Sequence, residues 1–347
     1  MGQLALSSSK GVSIVLVTWN SAPYLRRCLD GILQQTYLDR ELIVVDNASS
    51  DPSADLVAPH ATRVIRNETN RGFSAAVNQA LAVASGEFLL VLNPDCYLEE
   101  EYVERLVRVF ESTSLRVDEE DSTSRRLDDA TTRRLEDSST RLGSATGLLI
   151  RARGWDIEPT RDIDSAGMRM TRNGRHLDIA TRPAGLTEVF GVSGAAAMYR
   201  VAFLRDISID GEALDEDFFA YREDADVAWR GQLRGWKAVC EPQAVAYHVR
   251  RVTPEKRRTL PADVNLHSVK NRFLLRIRNE GAYLALRNAP FELARDLLVI
   301  VAALTIERSS LPAFAWLWRN RKRVLAKRRL IQSRRTVHDR DLAKWFR

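Results

Sequence analysis

The sequence is poor in cysteine, and its cysteines are too scattered to form a recognised site. Cys28, Cys96 and Cys240 lie far apart, and no two of them form a CxxC pair. This distribution argues against a structural zinc site and against a disulfide framework. So few cysteines are typical of a reducing compartment, and we therefore expect a cytoplasmic protein.

Long hydrophobic segments are also missing. The longest apolar run, residues 297–306, has about half of the roughly 20 residues that a membrane-spanning helix needs. The first residues lack the apolar core of a signal peptide, and Leu6 stands where the myristoylation pattern requires Ser or Thr. The sequence predicts no transmembrane helix, no secretory leader and no myristoyl anchor.

Acidic residues are missing from one long stretch of the chain. No Asp or Glu occurs between Arg308 and His338, whereas the 347-residue chain as a whole carries a net charge of +6. A local basic block of this kind indicates an acidic surface as a partner. The length itself allows one large α/β domain, or one domain with an appendage.

Buried strands alternate with helices over the first 95 residues. The strands are expected at residues 12–17, 42–45, 64–65 and 88–92, and the helices at 22–35, from 51, and at 73–84. This alternation predicts a mostly parallel, doubly wound sheet. Ligands of such sheets bind beyond the carboxyl ends of the strands, so we expect the site at that edge.

The character of the chain changes at residue 112. Residues 112–144 are rich in charged and small polar residues and contain the near-repeat RRLDDATT and RRLEDSST, which indicates a charged low-complexity insertion. Further strands are expected at 147–150, 189–192, 239 and 245–248, and a loop leading into a helix at 216–234. Helices are expected from 263 onward, with breaks at 279–281 and at Pro290 and a new helix at Pro312.

The first candidate site residue is Asp46, which directly follows a buried strand. A carboxylate there is well placed to accept a hydrogen bond from a ring N–H such as N3 of uracil or thymine. Ser49 and Asp51, which come next, fit a turn and a helix cap. The alternative is that the whole string VVDNASSD is only a strand–turn–helix junction.

A second candidate is Asp95, in the string NPD after the strand FLLVL. Mg²⁺ and Mn²⁺ bound to phosphates prefer hard oxygen ligands such as this carboxylate, although an isolated Asp after a strand is also a common turn residue. His248 ends a later strand, and neutral imidazole suits Mn²⁺ better than Mg²⁺. An isolated histidine is usually structural.

The richest cluster lies between residues 218 and 236. Glu223, Asp224 and Asp226 fall within four residues, beside aromatic residues and ahead of Arg230. Carboxylates this close together raise the pKa of one of them, and a carboxylate with a pKa near neutrality can deprotonate a hydroxyl group. The alternative is a helix N-terminus that carries acidic residues because of its dipole.

Taken in order, these segments resemble family 2 glycosyltransferases, most closely the bacterial rhamnosyltransferase-like branch. The matching strings are VSIVLVTWN, LIVVDNASSD, NRGFSAAVNQA, LLVLNPD, GVSGAAAMYR, DEDFFAYREDADVAWR, RGWK and YH. They extend over residues 12–248, about two thirds of the chain. The resemblance implies an α/β protein of the GT-A fold, in which a Rossmann-like nucleotide half is joined to an acceptor half.

The resemblance also implies roles for individual residues. It makes Asp224 the catalytic base, with Glu223 beside it, and it assigns Asp95 and His248 to a Mg²⁺ or Mn²⁺ site. The residues implied in binding of the nucleotide donor are Thr18, Asn20, Asp46, Asn47, Asn70, Arg71, Gly72, Asn78, Asn93 and Asp95. The residues implied near the acceptor or the diphosphate are Gly194, Tyr221, Asp226, Arg230 and Trp236.

The implied reaction is inverting transfer of a sugar to a hydroxyl of a cell-surface glycan or a polyprenyl-linked acceptor. The resemblance favours dTDP-rhamnose as the donor, with UDP-sugars as the alternative. The family motif commonly has two acids where this chain has NPDC, so tight metal binding is less well supported. The implied regions are a nucleotide-sugar half (1–111), the insertion (112–144), an acceptor and catalytic half (145–262) and a helical basic extension (263–347).

The C-terminal region combines basic and aromatic residues. A run of Arg and Lys between residues 319 and 335 follows Phe314, Trp316 and Trp318 and the apolar run that begins at 297. This composition suits an anionic membrane surface contacted through residues 297–335, which predicts peripheral attachment at the inner face of the plasma membrane. The alternatives are a solvated helical subdomain and a contact within a homo-oligomer. No nucleic-acid-binding fold is visible, so we expect no nucleic acid partner.

Two other functional classes are compatible with a sheet of this kind. A nucleotidyltransferase would also use acids and a metal, but it predicts a Gly-rich basic phosphate loop early in the chain, and VTWNSAPYL is not one. A non-catalytic sugar-nucleotide-binding protein is the other alternative. The retained acids at 223, 224 and 226 argue against it.

Overall fold

The computed structural model describes residues 11–123, 141–250 and 262–347. Most of the predicted insertion, residues 124–140, lies outside the described residues, as do 251–261. The described part of the insertion begins as helix and ends as strand, since a helix continues to Thr123 and a strand begins at Leu142.

Twelve strands are described, and ten of them form one sheet. They are β1 (Val12–Thr18), β2 (Arg40–Asp46), β3 (Arg63–Arg66), β4 (Phe88–Leu92), β5 (Cys96–Leu98), β6 (Leu142–Arg153), β7 (Glu158–Ser165), β8 (Met168–Met170), β9 (His176–Asp178), β10 (Thr187–Val189), β11 (Ala196–Arg200) and β12 (Lys237–His248). The sheet order is β10-β12-β6-β11-β4-β1-β2-β3, with β5 paired to β12 and β7 to β6, while β8 and β9 form a separate pair.

The four strands expected in the first 95 residues are confirmed as β1 to β4. They are all parallel to one another, because uninterrupted apolar runs such as VSIVLV are buried on both faces of the sheet. Beyond β4 the sheet is mixed, since β11 is antiparallel to both β4 and β6. The parallel arrangement therefore holds for β1 to β4 and not for the sheet as a whole.

The helices pack on both faces of the sheet and at one end of it. They are α1 (Ala22–Leu33), α2 (Ser53–Val57), α3 (Phe73–Val83), α4 (Tyr102–Thr123), α5 (Val201–Ile207), α6 (Glu223–Leu233), α7 (Ala262–Asn279), α8 (Ala282–Thr305), α9 (Pro312–Arg319), α10 (Arg321–Ser333) and α11 (Asp339–Leu342). The helices predicted at 22–35 and 73–84 are confirmed as α1 and α3, and Pro312 opens α9 as expected.

Several element boundaries differ from the prediction. The two short strands expected at 239 and 245–248 form one strand, β12, because its pairing with β6 continues through a register shift around Pro242, which cannot donate to the ladder. Pro290 does not break α8; the hydrogen bond that it loses would have ended on the carbonyl of Leu286, on the exposed side of the helix. The strand expected at 189–192 ends at Val189.

The C-terminal helices share a hydrophobic core with the predicted acceptor and catalytic half. Phe190 and Trp229 contact Phe346 edge-on or tilted, with ring centroids 6.1 Å and 5.1 Å away. Leu274 and Leu275 of α7 are buried in the same cluster. The extension is therefore packed against α6 rather than attached only through the chain.

Among the described residues, no single helix is both long and apolar enough to cross a membrane. Helix α8 and the segment 308–319 satisfy the criterion together, by length and composition, but they are bent by 111° at the break between them.

Candidate active site

The carboxyl ends of β1 and β2 hold Asp46 in a fixed orientation. Thr18 and Asp46 are register partners in the parallel ladder, and the Thr18 hydroxyl donates to Asp46 Oδ1 at 2.7 Å. Ser49 adds its hydroxyl to the same oxygen at 2.6 Å and its N–H to Oδ2 at 3.0 Å. Oδ2 has that one donor among the described residues, so it retains the capacity to accept a further N–H.

Asn20 holds the turn that follows Asp46. It has a positive φ of 51°, which asparagine tolerates better than most residues. Its side-chain oxygen accepts hydrogen bonds from the Ser50 N–H at 2.8 Å and from the Ser50 hydroxyl at 3.1 Å. The turn next to the Asp46 carboxylate is therefore fixed by residues that follow both β1 and β2.

A second set of polar residues lies beside this turn. The Asn47 amide donates to the carbonyl of Gly72 at 3.0 Å, and Asn70 accepts from the Gly72 N–H at 2.9 Å. Gly72 has a φ of 87°, and a Cβ on it would lie 2.6 Å from the ring of Phe219, so this position requires glycine. Arg71 is exposed next to it. These residues form a rigid wall at the predicted donor side.

The structure does not bring Asn78 to this edge. Its amide donates to the carbonyl of Leu214 at 2.7 Å and accepts from the Leu214 N–H at 3.0 Å. Asn78 therefore ties helix α3 to the segment that leads into the acidic cluster, and its amide oxygen and nitrogen are both used there.

Asp95 and His248 meet at the end of β12, where β5 pairs with it. His248 Nε2 lies 3.5 Å from Asp95 Oδ1, and both side chains are nearly buried. Cys96 completes a group whose possible ligand atoms lie within 4.8 Å of one another. The Cys96 thiol is hydrogen-bonded to the carbonyl of Ala195, and burial together with the Asp95 charge raises its pKa well above the usual range. Asp95 and His248 are therefore the better ligands.

The sequence interpretation missed Asp164, which lies behind His248. Asp164 Oδ2 is 2.8 Å from His248 Nδ1. Burial by itself lowers the pKa of His248, but Asp164 and Asp95 outweigh it and raise that pKa to about 9. A carboxylate on Nδ1 fixes the ring so that Nε2 points toward Asp95, which is the arrangement commonly found behind histidine ligands of metals. The donor set therefore fits a divalent cation.

Asp164 is itself held by two arginines. Arg151 lies 3.2 Å and Arg250 3.3 Å from its Oδ1, and Arg250 also pairs with Asp178. The only signal of this residue in the sequence is the alternation of Asp162 and Asp164 in β7, an element that the sequence did not predict.

The predicted base, Asp224, lies in the first turn of α6. Its Oδ2 accepts from the N–H of Gly194 at 3.2 Å, and its Oδ1 accepts from the N–H of Ala225 at 2.7 Å. Burial raises the pKa of Asp224, whereas these two N–H groups oppose the rise. The side chain is half-buried, so it is accessible to a substrate hydroxyl.

Glu223 differs from its neighbour in being buried. Burial and then the charge of Asp224 raise the pKa of Glu223 to about 8. One Glu223 oxygen has no hydrogen-bond partner among the described residues. The sequence predicted that crowded acids would raise a pKa here, and the geometry agrees.

The strands bring the predicted base and the candidate metal ligands to the same edge of the sheet. The Asn93 N–H at the end of β4 donates to the carbonyl of Ala195 at 2.9 Å, next to Gly194. Asp95 follows Asn93 by two residues, and Gly194 contacts Asp224. Tyr221, with a φ of 70°, is exposed just before α6.

Three residues expected near the acceptor or diphosphate lie elsewhere. Asp226 and Arg230 form a buried ion pair at 2.8 Å, and the other Arg230 donors bind the carbonyls of Ile207 and Ala213. Asp226 is about 200° around α6 from Asp224, so it faces the core. Trp236 follows the other end of that helix, where its N–H donates to Asp206 at 2.7 Å. The prediction for these residues is corrected.

Comparison with known proteins finds a family model that matches about the first third of the chain. Residues 13–138 match the profile described as Glycosyl transferase family 2. The chain contains a glycosyl transferase family 2 domain. This confirms the predicted enzyme class at the level of the domain, and the matched segment contains Asp46 and Asp95.

Curated relatives match about a quarter of the chain. Glycosyltransferase GlyG of Streptococcus pneumoniae is 32% identical over 103 residues, which are 28% of this chain and 34% of that protein. The PGL/p-HBAD biosynthesis glycosyltransferase of Mycobacterium bovis is 38% identical over 93 residues, which are 25% of this chain and 36% of that protein. The chain thus covers about a third of the length of each.

Solved structures extend the similarity beyond the family 2 domain. S. aureus TarS 1-349 superposes with a TM-score of 0.53 at 18% identity, over 88% of this chain and 77% of that one. GalNAc-T7, solved with UDP, GalNAc and Mn²⁺, gives a TM-score of 0.57 at 14% identity, over 78% and 48%. The predicted GT-A fold is confirmed, with a mixed sheet and a helical C-terminal region.

Proposed function

We propose that this chain transfers a sugar from a nucleotide donor to an acceptor hydroxyl with inversion at the anomeric carbon. The observation that carries the proposal is Asp224, a half-buried carboxylate with a raised pKa that contacts Gly194 at the strand edge next to Asn93 and Asp95. Such a group can remove the acceptor proton as the hydroxyl oxygen attacks. The nucleoside diphosphate then leaves with the bonding electrons of the broken sugar–oxygen bond.

Asp46, Asn47 and Gly72 would hold the nucleotide on the other side of the edge. The free lone pair of Asp46 Oδ2 suits the N3–H of a pyrimidine, which both thymine and uracil carry. We favour dTDP-rhamnose because the sequence strings most resemble the rhamnosyltransferase-like branch. A UDP-sugar is the alternative, since TarS and GalNAc-T7 were solved with UDP.

Asp95 and His248 would hold a Mg²⁺ or Mn²⁺ ion beside the diphosphate. When bound, the ion would neutralise the charge that develops on the leaving group. The chain's own contribution is the orientation of His248 by Asp164 and of Asp95 by the turn after β4. GalNAc-T7 was solved with Mn²⁺, which makes Mn²⁺ the first cation to test.

The acceptor and the location of the reaction are also proposals. We propose a glycan or polyprenyl-linked acceptor used in the cytoplasm, at the inner face of the plasma membrane. Self-association into a homo-oligomer stays a prediction.

Substitution of Asp224 tests the base assignment. We expect Asp224→Asn to lower transfer by about 10²- to 10⁴-fold, because the amide cannot accept the proton. Donor affinity should be unchanged, since Asp224 is not among the donor-side residues. Release of the nucleoside diphosphate gives the rate, and calorimetry gives the affinity.

The matched control is Asp210→Asn. Asp210 is exposed and has a φ of 51°, a conformation that asparagine accepts, and it should keep the wild-type rate. Near-wild-type turnover by Asp224→Asn would disprove the base assignment.

A panel of nucleotide sugars separates the remaining alternatives. The preferred donor should raise the melting temperature most, because it binds only the folded state. Donor hydrolysis with Mn²⁺ present then distinguishes an enzyme from a non-catalytic binding protein. Stabilisation by a donor without any hydrolysis or transfer would favour the binding protein.

A further inference from the structure

Helix α8 is placed with its polar side toward the protein. Asn288 and Glu292 are buried against the rest of the chain, and Glu292 pairs with Arg276 of α7 at 3.1 Å. Asp296, one turn further along, pairs with Arg272 at 3.2 Å and also with Arg276. A surface helix of a protein in water normally points its apolar side inward, so α8 has the opposite orientation.

The outward side of α8 is almost entirely aliphatic. Leu286 is 81% exposed and Leu304 is 55% exposed. The other large exposed residues on this side are Phe291, Leu293, Leu297, Leu298, Ile300 and Val301. At 3.6 residues per turn these side chains cover about 180° of the helix, and we call them the α8 apolar face. Water is a poor solvent for a continuous surface of this kind.

The basic run between residues 319 and 335 has a different role from the one that the sequence predicts. Lys327 is buried in ion pairs with Glu212 and Asp215, and Arg323 pairs with Asp217. Arg328 donates to backbone carbonyls at the end of α7, and Arg334 to those after α5. Much of the run therefore attaches α10 to the catalytic half and does not face outward.

A smaller set of exposed cations follows the apolar face in the chain, and we call it the cationic rim. Arg319 and Lys322 are exposed at the junction of α9 and α10, and neither has an ion-pair partner among the described residues. Between them, Arg321 lies over the ring of Trp318, 4.4 Å from its centroid, and Trp318 is 69% exposed. An exposed tryptophan beside cations is typical of the interface between lipid headgroups and acyl chains.

We propose that the α8 apolar face lies in the headgroup–acyl boundary of a bilayer that contains anionic lipids, with Trp318, Arg319 and Lys322 at its rim. The helix lies in the plane of the interface, buried to about 5–10 Å. The inference is independent of the donor and of the chemistry at Asp224.

A bilayer explains this surface better than a second copy of the chain. An apolar arc of about 180° is wider than the two-position seam that a helix pair needs. A twofold dimer would also bring the same patch, with its cationic rim, against itself. Anionic headgroups instead complement that rim.

Flotation of the full-length chain with vesicles tests the proposal. We expect wild type to float with phosphatidylcholine–phosphatidylglycerol vesicles. The triple variant Leu293→Gln/Leu297→Gln/Leu304→Gln should bind these vesicles at least about tenfold more weakly than wild type. These side chains are exposed, so the fold should persist, which the melting temperature checks. The matched control is Leu38→Gln/Leu186→Gln, two exposed leucines outside α8, and it should float like wild type.

The cationic rim is tested separately. Arg319→Gln/Lys322→Gln should bind anionic vesicles about fivefold more weakly for each positive charge that is removed from the protein. Its binding to vesicles of phosphatidylcholine alone should equal that of wild type. Donor hydrolysis measured in parallel should be unchanged in all variants. If wild type floats normally but does not hydrolyse any donor, that result would count against the proposed function and not against this inference.

Two results would overturn the inference. One is equal flotation of wild type and the triple leucine variant. The other is a wild-type dimer in lipid-free solution, by light scattering, that the triple leucine variant dissociates while wild type fails to float. That second outcome would make another copy of the chain the occupant of the face.

Discussion

At the scale of single residues, Asp164 connects the two parts of the candidate site. It contacts His248 directly, and through Arg250 it is joined to Asp178, whose charge contributes to the raised pKa of Asp224. A change at Asp164 should therefore act on the candidate metal site through the orientation of His248.

We expect Asp164→Asn to weaken Mn²⁺ binding by about 10- to 100-fold, because the ring of His248 loses its charged partner. Electron paramagnetic resonance of free Mn²⁺, in the presence of a nucleoside diphosphate, measures this affinity without any turnover. Asp162→Asn is the matched control, since Asp162 is exposed two residues earlier on the same strand. Equal Mn²⁺ affinity in both variants would remove Asp164 from the site.

Glu223 should make the stability of the protein depend on pH. Burial and the Asp224 charge raise its pKa to about 8, from 4.5 in the unfolded chain. The folded state holds this proton more tightly, so the contribution to stability is present below pH 4.5 and is lost as the pH rises toward 8.

We therefore expect the melting temperature of wild type to fall between pH 5 and 8 relative to Glu223→Gln. Each kcal/mol of lost stability corresponds to a fall of about 2–4 °C. Glu68→Gln, at an exposed site, should keep the wild-type slope. Parallel curves for wild type and Glu223→Gln would show that Glu223 holds no such proton.

Residues could be predicted from the sequence where a short string carries them. Asp95, Asp224 and His248 follow strands or open a helix within recognisable strings. Asp164 could not be predicted, because it reaches His248 across 84 positions and belongs to a strand with little apolar pattern. Arg230 was misplaced because its string suggests a ligand, whereas the helical period pairs it with Asp226 in the core.

At the scale of elements, the segment 218–222 before α6 is strained, and one side chain donates to three of its carbonyls. Phe219, Tyr221 and Arg222 all have φ between 66° and 71°, a region that costs non-glycine residues about 1–3 kcal/mol each. The Asn271 amide nitrogen on α7 lies within 2.9 Å of the carbonyls of Phe218, Ala220 and Tyr221. Asn271 therefore positions the segment that carries Asp224.

Removal of that amide should slow the reaction without weakening donor binding. We expect Asn271→Ala to lower kcat by about tenfold or more, because buried carbonyls lose their donor and the segment relaxes. KM for the donor should change little. Asn265→Ala, a buried asparagine on the same helix that contacts Ser309 instead, is the control. An equal loss in both variants would indicate a general effect on α7.

Elements were predictable where one pattern dominates. The continuous apolar runs of β1, β2 and β4 and the Ala-rich α3 were predicted from periodicity alone. Strands β7 to β9 are short or polar, so they lack such a pattern, and β12 was divided because Pro242 reads as a strand end. Their positions depend on pairing with β6 and with one another rather than on local sequence.

At the scale of the whole molecule, the C-terminal helices are docked onto the predicted acceptor and catalytic half. Arg278 of α7 and Lys327 of α10 both pair with Asp215, which is buried just before the strained segment. The sequence predicted a basic helical extension, but it could not show this docking, because ion pairs between residues far apart in the sequence leave no local pattern.

Breaking this docking should destabilise the protein. We expect Lys327→Met to lower the free energy of unfolding by about 3–5 kcal/mol, because Glu212 and Asp215 lose a buried partner. Denaturant unfolding in lipid-free buffer measures it. Lys322→Met, exposed on the same helix, should stay within about 0.5 kcal/mol of wild type. Equal stability of the two variants would show that the buried pairs contribute little.

The pairing of Lys327 with Asp215 also has a consequence for the order of folding. The two residues are 112 positions apart, so their contact closes a long stretch of chain and forms late compared with local structure. The parallel strands β1 to β4 can assemble without it. During refolding, the predicted nucleotide half would therefore form before the segment that carries Asp224. Donor binding would then recover earlier than transfer activity.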